Sequence, residues 1–363
     1  MTMKKHEGKA LVVGFPSFYT SALIETLARR NERAVLMCAH GLIPSAKIWT
    51  EQFGRAGKMV EILEGDPARI DFGLSGAEWK KLRDETRVVY HCTSPGASRS
   101  VMRAAMEETL EICTNAPGFE RLVLLSLCRP NREAGLRSSV EDGKGPSPWD
   151  LGCAAEEAML TSRPSGLPWT IIRCAVPAPM SPTFMPGRTT DVVDRTLQVL
   201  ILLHCQLDLK TLKVVAARRM LLTSVETLAE AAATLVAGGR AAGETLDLCD
   251  EEGFDITFLR QVIDSVTSNR SISGADFTGR CRKTGPKLLG GWLVDLTPQE
   301  LLTRTTTTTR VPTDRTRALL HECGIDPPHP GTLLVEAIKV NVRIIEESMR
   351  TLESQETVGD ALG

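Results

Sequence analysis

The residues able to do chemistry fall into a few groups. His91 and Cys92 close one apolar run, RVVYHC, and Ser126 closes another, RLVLLS. An imidazole beside a thiol or hydroxyl can take the proton that a nucleophile must lose. Cys153 adds a second thiol to the set. A triad also needs a third group that orients the base, and the sequence identifies none, so packing roles for His91 and Cys92 stand beside the nucleophile-and-base reading. Asp150, Glu156 and Glu157 supply clustered carboxylates. Acidic residues opening a helix also stabilise its positive end, which is their expected role. Arg218-Arg219 and the stretch FTGRCRKTGPK (277–287) offer cations to a phosphate. Short basic runs are weak signals, and a solvated basic loop is expected for the second.

The segment LVVGFPSFYTSAL (11–23) runs from an apolar strand through a glycine and a short turn into a helix. Nucleotide-binding α/β proteins place three glycines here: for the turn, for close approach to pyrophosphate, and for helix–strand packing. Only Gly14 is present; Ser17 and Thr20 put side chains into the later slots. Pro16 removes one N–H from the anion cradle. After the next apolar run, Ala39-His40 supply neither the acid that holds a ribose 2′-hydroxyl nor an arginine for a 2′-phosphate. Gly65-Asp66 follows the third run, where the aspartate can also serve the turn.

The elements that position these residues alternate. KALVVG, AVLMCA, KMVEILEGD, RVVYHC, RLVLLS and PWTIIRCAVPAP read as buried strands. SALIETLARR, GLSGAEWKKLRDE, VMRAAMEETLEICTNA and CAAEEAMLTSR read as helices between them. Residues 129–148 read as a polar loop. RMLLTSVETLAEAAATLVAG contains a short strand and a helix, ETLDLCD another strand, and RTTTTTR an extended segment. The pattern specifies an α/β fold: a Rossmann-like, doubly wound parallel sheet with a smaller C-terminal substrate-region subdomain. The expected division is 1–180 for the Rossmann-like part, with sheet additions from about 215–250, then 181–352, then a disordered tail at 353–363. The last helix places Leu334, Ile338, Val342, Ile345, Met349 and Leu352 on one stripe. Docking onto the domain is expected, with a partner or dimer helix as the alternative.

Composition narrows the function classes. The 363 residues carry a net charge of −2, which gives no basis for nucleic-acid binding. No apolar run suits a bilayer span. Ten cysteines stand singly, without a C-x-x-C pair, so no metal site is expected and free buried thiols are. A cytoplasmic location is expected from the absence of a signal-peptide pattern at the N-terminus.

In chain order, VVGFPSF, ILEGDPARIDFGLSGAEWKKL, VVYHCTSP, RLVLLS, AAEEAML with GLPWTIIRCAVP, MLLTSVETLAEAAATL and RTRALLHECGIDPP resemble the extended short-chain dehydrogenase/reductase superfamily. The resemblance is closest to the thioester reductases and male-sterility-type fatty-acyl reductases, and covers roughly residues 8–345. It implies that a dinucleotide, if one binds, meets Gly14, Ser17, Phe18 and Asp66, and that Ser126 is the serine polarising a substrate carbonyl. It also implies a tyrosine acid/base with a lysine four residues later. Those slots hold Trp149 and Cys153. An indole N–H only donates and cannot cycle a proton, and a thiol supplies no fixed positive charge. Of the two tyrosines, Tyr19 is followed four residues later by Leu23 and Tyr90 by Ser94, so no Tyr-x-x-x-Lys exists in any register.

The resulting expectation is a degenerate family member with a non-redox role: an accessory or binding protein, or an enzyme repurposed to chemistry that needs only the pocket. No cofactor is expected, with NADP or NAD binding if the loop is competent. The alternative is an NADPH-dependent reductase of a thioester or carbonyl with an unconventional proton donor. A structural subunit docked through the last helix is a third class. Expected partners are a small molecule or a protein, a homo-oligomer being open, with no nucleic acid and no membrane.

Overall fold

The computed structural model describes residues 8–92, 98–127, 148–162, 166–181, 194–206, 218–268, 274–292, 297, 301–302, 305–307 and 310–362. Its centre is a parallel sheet of seven strands. They are β1 (Lys9–Val13), β2 (Ala34–Cys38), β3 (Val60–Glu64), β4 (Thr86–Cys92), β5 (Arg121–Leu127), β6 (Trp169–Cys174) and β10 (Glu244–Leu248). Their order across the sheet is β10-β6-β5-β4-β1-β2-β3, a doubly wound arrangement that reverses beside β1. Ligands of such sheets gather at the carboxyl ends of the strands next to that reversal. Gly14, Cys92 and Ser126 all lie at those ends.

Alternation of side chains along β1 builds two layers. Ala10 and Val12 join a core with α1 (Phe18–Arg29), α2 (Ile43–Glu51) and α7 (Val225–Ala237). Leu11 and Val13 join a core with α3 (Gly76–Glu85), α4 (Arg99–Asn115) and α5 (Pro148–Thr161). A third core is built from α6 (Thr196–Gln206), α8 (Ile256–Ser268), α9 (Gly274–Trp292) and α11 (Pro330–Leu362). Helix α10 (Asp314–Glu322) lies against the first core. Two small sheets join the C-terminal half to the main one. In the first, β7 (Val176–Ala178) pairs with β9 (Leu222–Ser224). In the second, β8 (Arg219–Met220) lies between β11 (Phe254–Asp255) and β12 (Thr306–Thr307).

Several elements depart from the sequence reading. Strand β3 is an edge strand, half-buried rather than buried, with Glu61 and Glu64 turned to solvent. The segment 219–224 holds two short strands, one in each small sheet. Helix α5 starts at Pro148, not at 153; proline suits a first helical turn, whose N–H needs no partner. The expected basic loop 277–287 is the middle of α9, because Phe277, Cys281 and Leu288 recur at helical spacing and are buried together. In the threonine run, Thr306–Thr307 is extended, held by Arg218, whose guanidinium donates to Thr306 Oγ1 at 2.9 Å and to its carbonyl at 2.8 Å. That contact commits Arg218 to the fold rather than to a phosphate. The final helix runs on to Leu362, so residues 353–362 are helical where a disordered tail was expected. The rest of the expected loop at 129–148 lies outside the described residues.

The stripe on α11 is used within the chain. Leu334, Ile338, Val342, Ile345 and Met349 are buried in the third core, with Leu352 packed at its margin. Among the described residues, no helix is long and apolar enough to cross a membrane. None of the nine described cysteines is in a disulfide, and seven of them are buried.

Gly14 is fixed by the fold itself. Its φ is +102°, and a Cβ there would collide with the backbone carbonyl of Cys92 on the neighbouring strand. Gly14→Ala is expected to destabilise by roughly 2–4 kcal/mol, since both strain and clash fall on backbone. Urea unfolding followed by circular dichroism checks this through the transition midpoint.

Candidate functional site

The start of α1 is where an α/β protein of this topology meets an anion. Its free N–H groups point out of the helix and carry its positive end. Here those donors are taken. Ser17 is the N-cap: its hydroxyl accepts from the Thr20 N–H at 3.1 Å, and its own N–H donates to Thr20 Oγ1 at 3.1 Å. The two residues that replace family glycines therefore form a reciprocal capping box. The next N–H, of Phe18, donates to the Asp194 carboxylate at 3.0 Å. Asp194 is buried and immediately precedes α6, in the C-terminal half. Tyr19 reaches across to donate its hydroxyl to the Ala175 carbonyl between β6 and β7. The helix end is thus filled by a carboxylate of the chain itself, and its first turn is tied to the opposite wall.

The candidate nucleophiles and bases do not assemble into one site. His91 and Cys92 are consecutive in β4 and project to opposite faces of the sheet. Cys92 faces α1, its sulfur 3.6 Å from the Ser17 hydroxyl. His91 faces α4 and α5, with Nδ1 2.9 Å from Thr109 Oγ1 and Nε2 3.4 Å from Glu156 Oε1. A histidine–cysteine dyad is excluded by this alternation. Ser126 lies on the histidine's face, and its hydroxyl donates to Glu157 Oε1 at 2.8 Å. Arg173, paired with Ser126 across β5 and β6, donates from Nη2 to Glu157 Oε2 at 2.8 Å and lies 3.9 Å from Asp247. Glu157 is thus a buried carboxylate with a hydroxyl and a guanidinium on its two oxygens. Glu156 and Glu157 do not serve a helix start: they lie in the third turn of α5, facing the sheet. Cys153, one turn before them, is buried. Trp149 and Asp150 lie in the first turn of α5, with side chains outside the described residues.

The remaining candidates sit apart. Asp66 caps its own turn, Oδ1 accepting from the Ala68 N–H at 3.0 Å. His40 is exposed and pairs with Glu64 at 2.9 Å. Among the described residues no cluster of histidine, cysteine and carboxylate side chains fits a metal ion. Burial raises the pKa of Cys38, the last residue of β2, to about 11 and pushes that of Cys174 up as well, so neither is a thiolate at neutral pH.

Two participants escaped the sequence reading. Asp194 meets Phe18 across a separation of 176 residues, and nothing local marks it. Glu226, at the start of α7, accepts from the N–H groups of Met180 at 2.7 Å and Ser181 at 2.9 Å. Burial, the largest influence on it, raises its pKa despite those bonds. Both are carboxylates that accept from backbone N–H groups distant in the chain.

Comparison of the three-dimensional structure places this geometry among known folds. The terminal R domain from the myxalamid PKS-NRPS biosynthetic pathway superposes with a TM-score of 0.63 and 15% identity, over 93% of this chain and 90% of that one. The R domain of a nonribosomal peptide synthetase from Mycobacterium tuberculosis gives 0.62 and 18%, over 94% and 92%. The Bordetella bronchiseptica enzyme WbmF, in complex with NAD+ and UDP, gives 0.59 and 13%, over 98% and 97%. The chain shares the Rossmann-like fold of these R domains and of WbmF. No protein-family model and no curated protein matches the sequence, so the likeness is carried by structure.

The Ser126–Glu157–Arg173 arrangement makes a quantitative demand. Removing the guanidinium takes a charged donor away from a buried carboxylate. Arg173→Met is expected to destabilise by about 3 kcal/mol, the low end for breaking a buried pair because Arg173 is itself 26% exposed. Arg173→Lys, which keeps the charge but not the fork, should cost less. Chemical denaturation of the three proteins side by side measures both.

Proposed function

We propose that this chain uses a short-chain dehydrogenase/reductase fold without nicotinamide redox chemistry, acting as an accessory or binding protein or as a catalyst of a reaction that needs no hydride. The observation that carries this reading is the Asp194 carboxylate on the Phe18 N–H. Pyrophosphate brought to the same helix end would meet a buried negative group. Two unit charges about 4 Å apart repel by roughly 4 kcal/mol at an effective dielectric near 20, close to a thousandfold in affinity. The capping box takes the neighbouring donors as well.

The missing proton machinery points the same way. Trp149 and Cys153 stand in the slots where the resemblance calls for tyrosine and lysine. Ser126, the remaining member, spends its hydroxyl on Glu157. The rival reading is an NADPH-dependent reductase of a thioester or carbonyl with another proton donor. The superposition on R domains favours that rival at the level of fold.

Titration of purified protein with NADPH and NADH, by calorimetry and by fluorescence of the reduced nicotinamide, separates the two. The expected outcome is no saturable binding below about 1 mM, given the repulsion above. Micromolar binding of either nucleotide overturns the proposal in favour of the reductase. Asp194→Ala provides a second check. Loss of a charged acceptor from a buried N–H is expected to cost about 1.5–3 kcal/mol. Inorganic pyrophosphate should then raise the melting temperature of the variant and leave that of the wild type unchanged.

A further inference from the structure

Away from the cleft, two thiols of the third core meet. Cys205 lies in the last turn of α6 and Cys281 near the middle of α9, with both side chains in the same buried cluster. The helices are drawn together on both sides of the pair. Gln206 Nε2 donates to the Cys281 carbonyl at 3.3 Å, and Arg282 Nε donates to the Cys205 carbonyl at 3.2 Å. One turn beyond Cys281, Gly285 leaves room for the Gln206 side chain; a Cβ there would collide with it. Each cysteine is thus flanked by a residue bonded to the other cysteine's backbone. Their side chains share the buried cluster, near enough for each thiol to shift the pKa of the other.

We propose that Cys205 and Cys281 form a redox-active dithiol that closes to a disulfide under hydrogen peroxide, stapling α6 to α9. A disulfide needs its sulfurs about 2.05 Å apart, and the reciprocal Gln206 and Arg282 bonds hold the two helices side by side at the pair. The two cysteines have distinct parts. Cys205 is 6% exposed and Cys281 fully buried, so the oxidant meets Cys205 first. The Cys281 thiol, with help from the nearby Arg282 charge, lowers the pKa of Cys205, while the Cys205 thiol and burial raise that of Cys281. The Cys205 thiolate attacks one peroxide oxygen, breaking the O–O bond; it becomes a sulfenic acid and the departing hydroxide takes a proton to form water. The Cys281 sulfur then attacks the sulfenic sulfur, giving up its proton as the S–O bond breaks and a second water leaves. In sum, two thiols and one peroxide give one disulfide and two waters. The site is separate from the nucleotide loop and does not depend on how that loop is read.

The test uses the full chain treated with graded hydrogen peroxide, alkylated under denaturing conditions and mapped without reduction. Trypsin places Cys205 in the peptide 196–210 and Cys281 in the dipeptide Cys281–Arg282. The expected product joins these two, lowers the intact mass by about 2 Da for the two hydrogens lost, and reverts with dithiothreitol. Alkylatable thiols fall from ten by two. The oxidised protein is expected to melt several degrees higher, because the bond closes a long loop in the unfolded chain. In Cys281→Ser, Cys205 should accumulate as a dimedone-reactive sulfenic acid. Recovery of both peptides unbridged after excess peroxide, or bridging of either to a different cysteine, overturns the proposal. The wild-type map decides this even if the variant fails to fold.

Discussion

The hydrogen bond from the Phe18 N–H to the Asp194 carboxylate joins the two halves of the molecule at the start of α1. Phe18 begins the helix that follows the central strand. Asp194 leads into the first helix of the C-terminal core. The bond therefore fixes the reversal of the main sheet and the entry to the third core together. Tyr19 adds a second tie from the same helical turn to the Ala175 carbonyl. Glu226 does the same for the backbone at Met180 and Ser181. In a protein that closes on a bound anion, such donors are satisfied by the ligand. In this chain carboxylates of the fold accept from the N–H groups of Phe18, Met180 and Ser181, as charge-assisted bonds.

A second polar set fastens the opposite face. His91 with Thr109 and Glu156, and Ser126 with Glu157 and Arg173, lie between the sheet and helices α4 and α5. Buried carboxylates are costly unless each oxygen is engaged. Glu157 meets that condition through partners on two strands, which fixes the position and rotation of α5 against the sheet. His91 and Ser126 direct their hydrogen-bonding capacity inward, toward Thr109, Glu156 and Glu157. Gly14 fits the same pattern, since the approach of the Cys92 carbonyl demands a glycine there with or without a nucleotide.

How much of this was legible in the sequence follows from range. The strands and the doubly wound order could be read because apolar runs and helical spacing are local, and the resemblance ran in chain order. The loss of Tyr-x-x-x-Lys could be read because it is a matter of residue counting. The role of Ser17 and Thr20 was half legible: their failure as glycines was evident, their reciprocal cap was not, although Ser-x-x-Thr at a helix start carries the signal. The nature of β3 was missed because an apolar run does not distinguish an edge strand from an inner one. Asp194, Arg173 and the meeting of Cys205 with Cys281 were invisible, since each depends on residues far apart in the chain. The basic stretch in α9 was misread because glycine, proline and lysine masked a three-residue apolar stripe.

The capping box and the Asp194 bond act on the same helix end. Ser17 and Thr20 stabilise the helix they cap. The Asp194 carboxylate gains a charge-assisted hydrogen bond and the favourable end of the helix dipole. A change at Asp194 alone would reopen the Phe18 donor while leaving the capping box in place, so the two contributions to the helix start are separable.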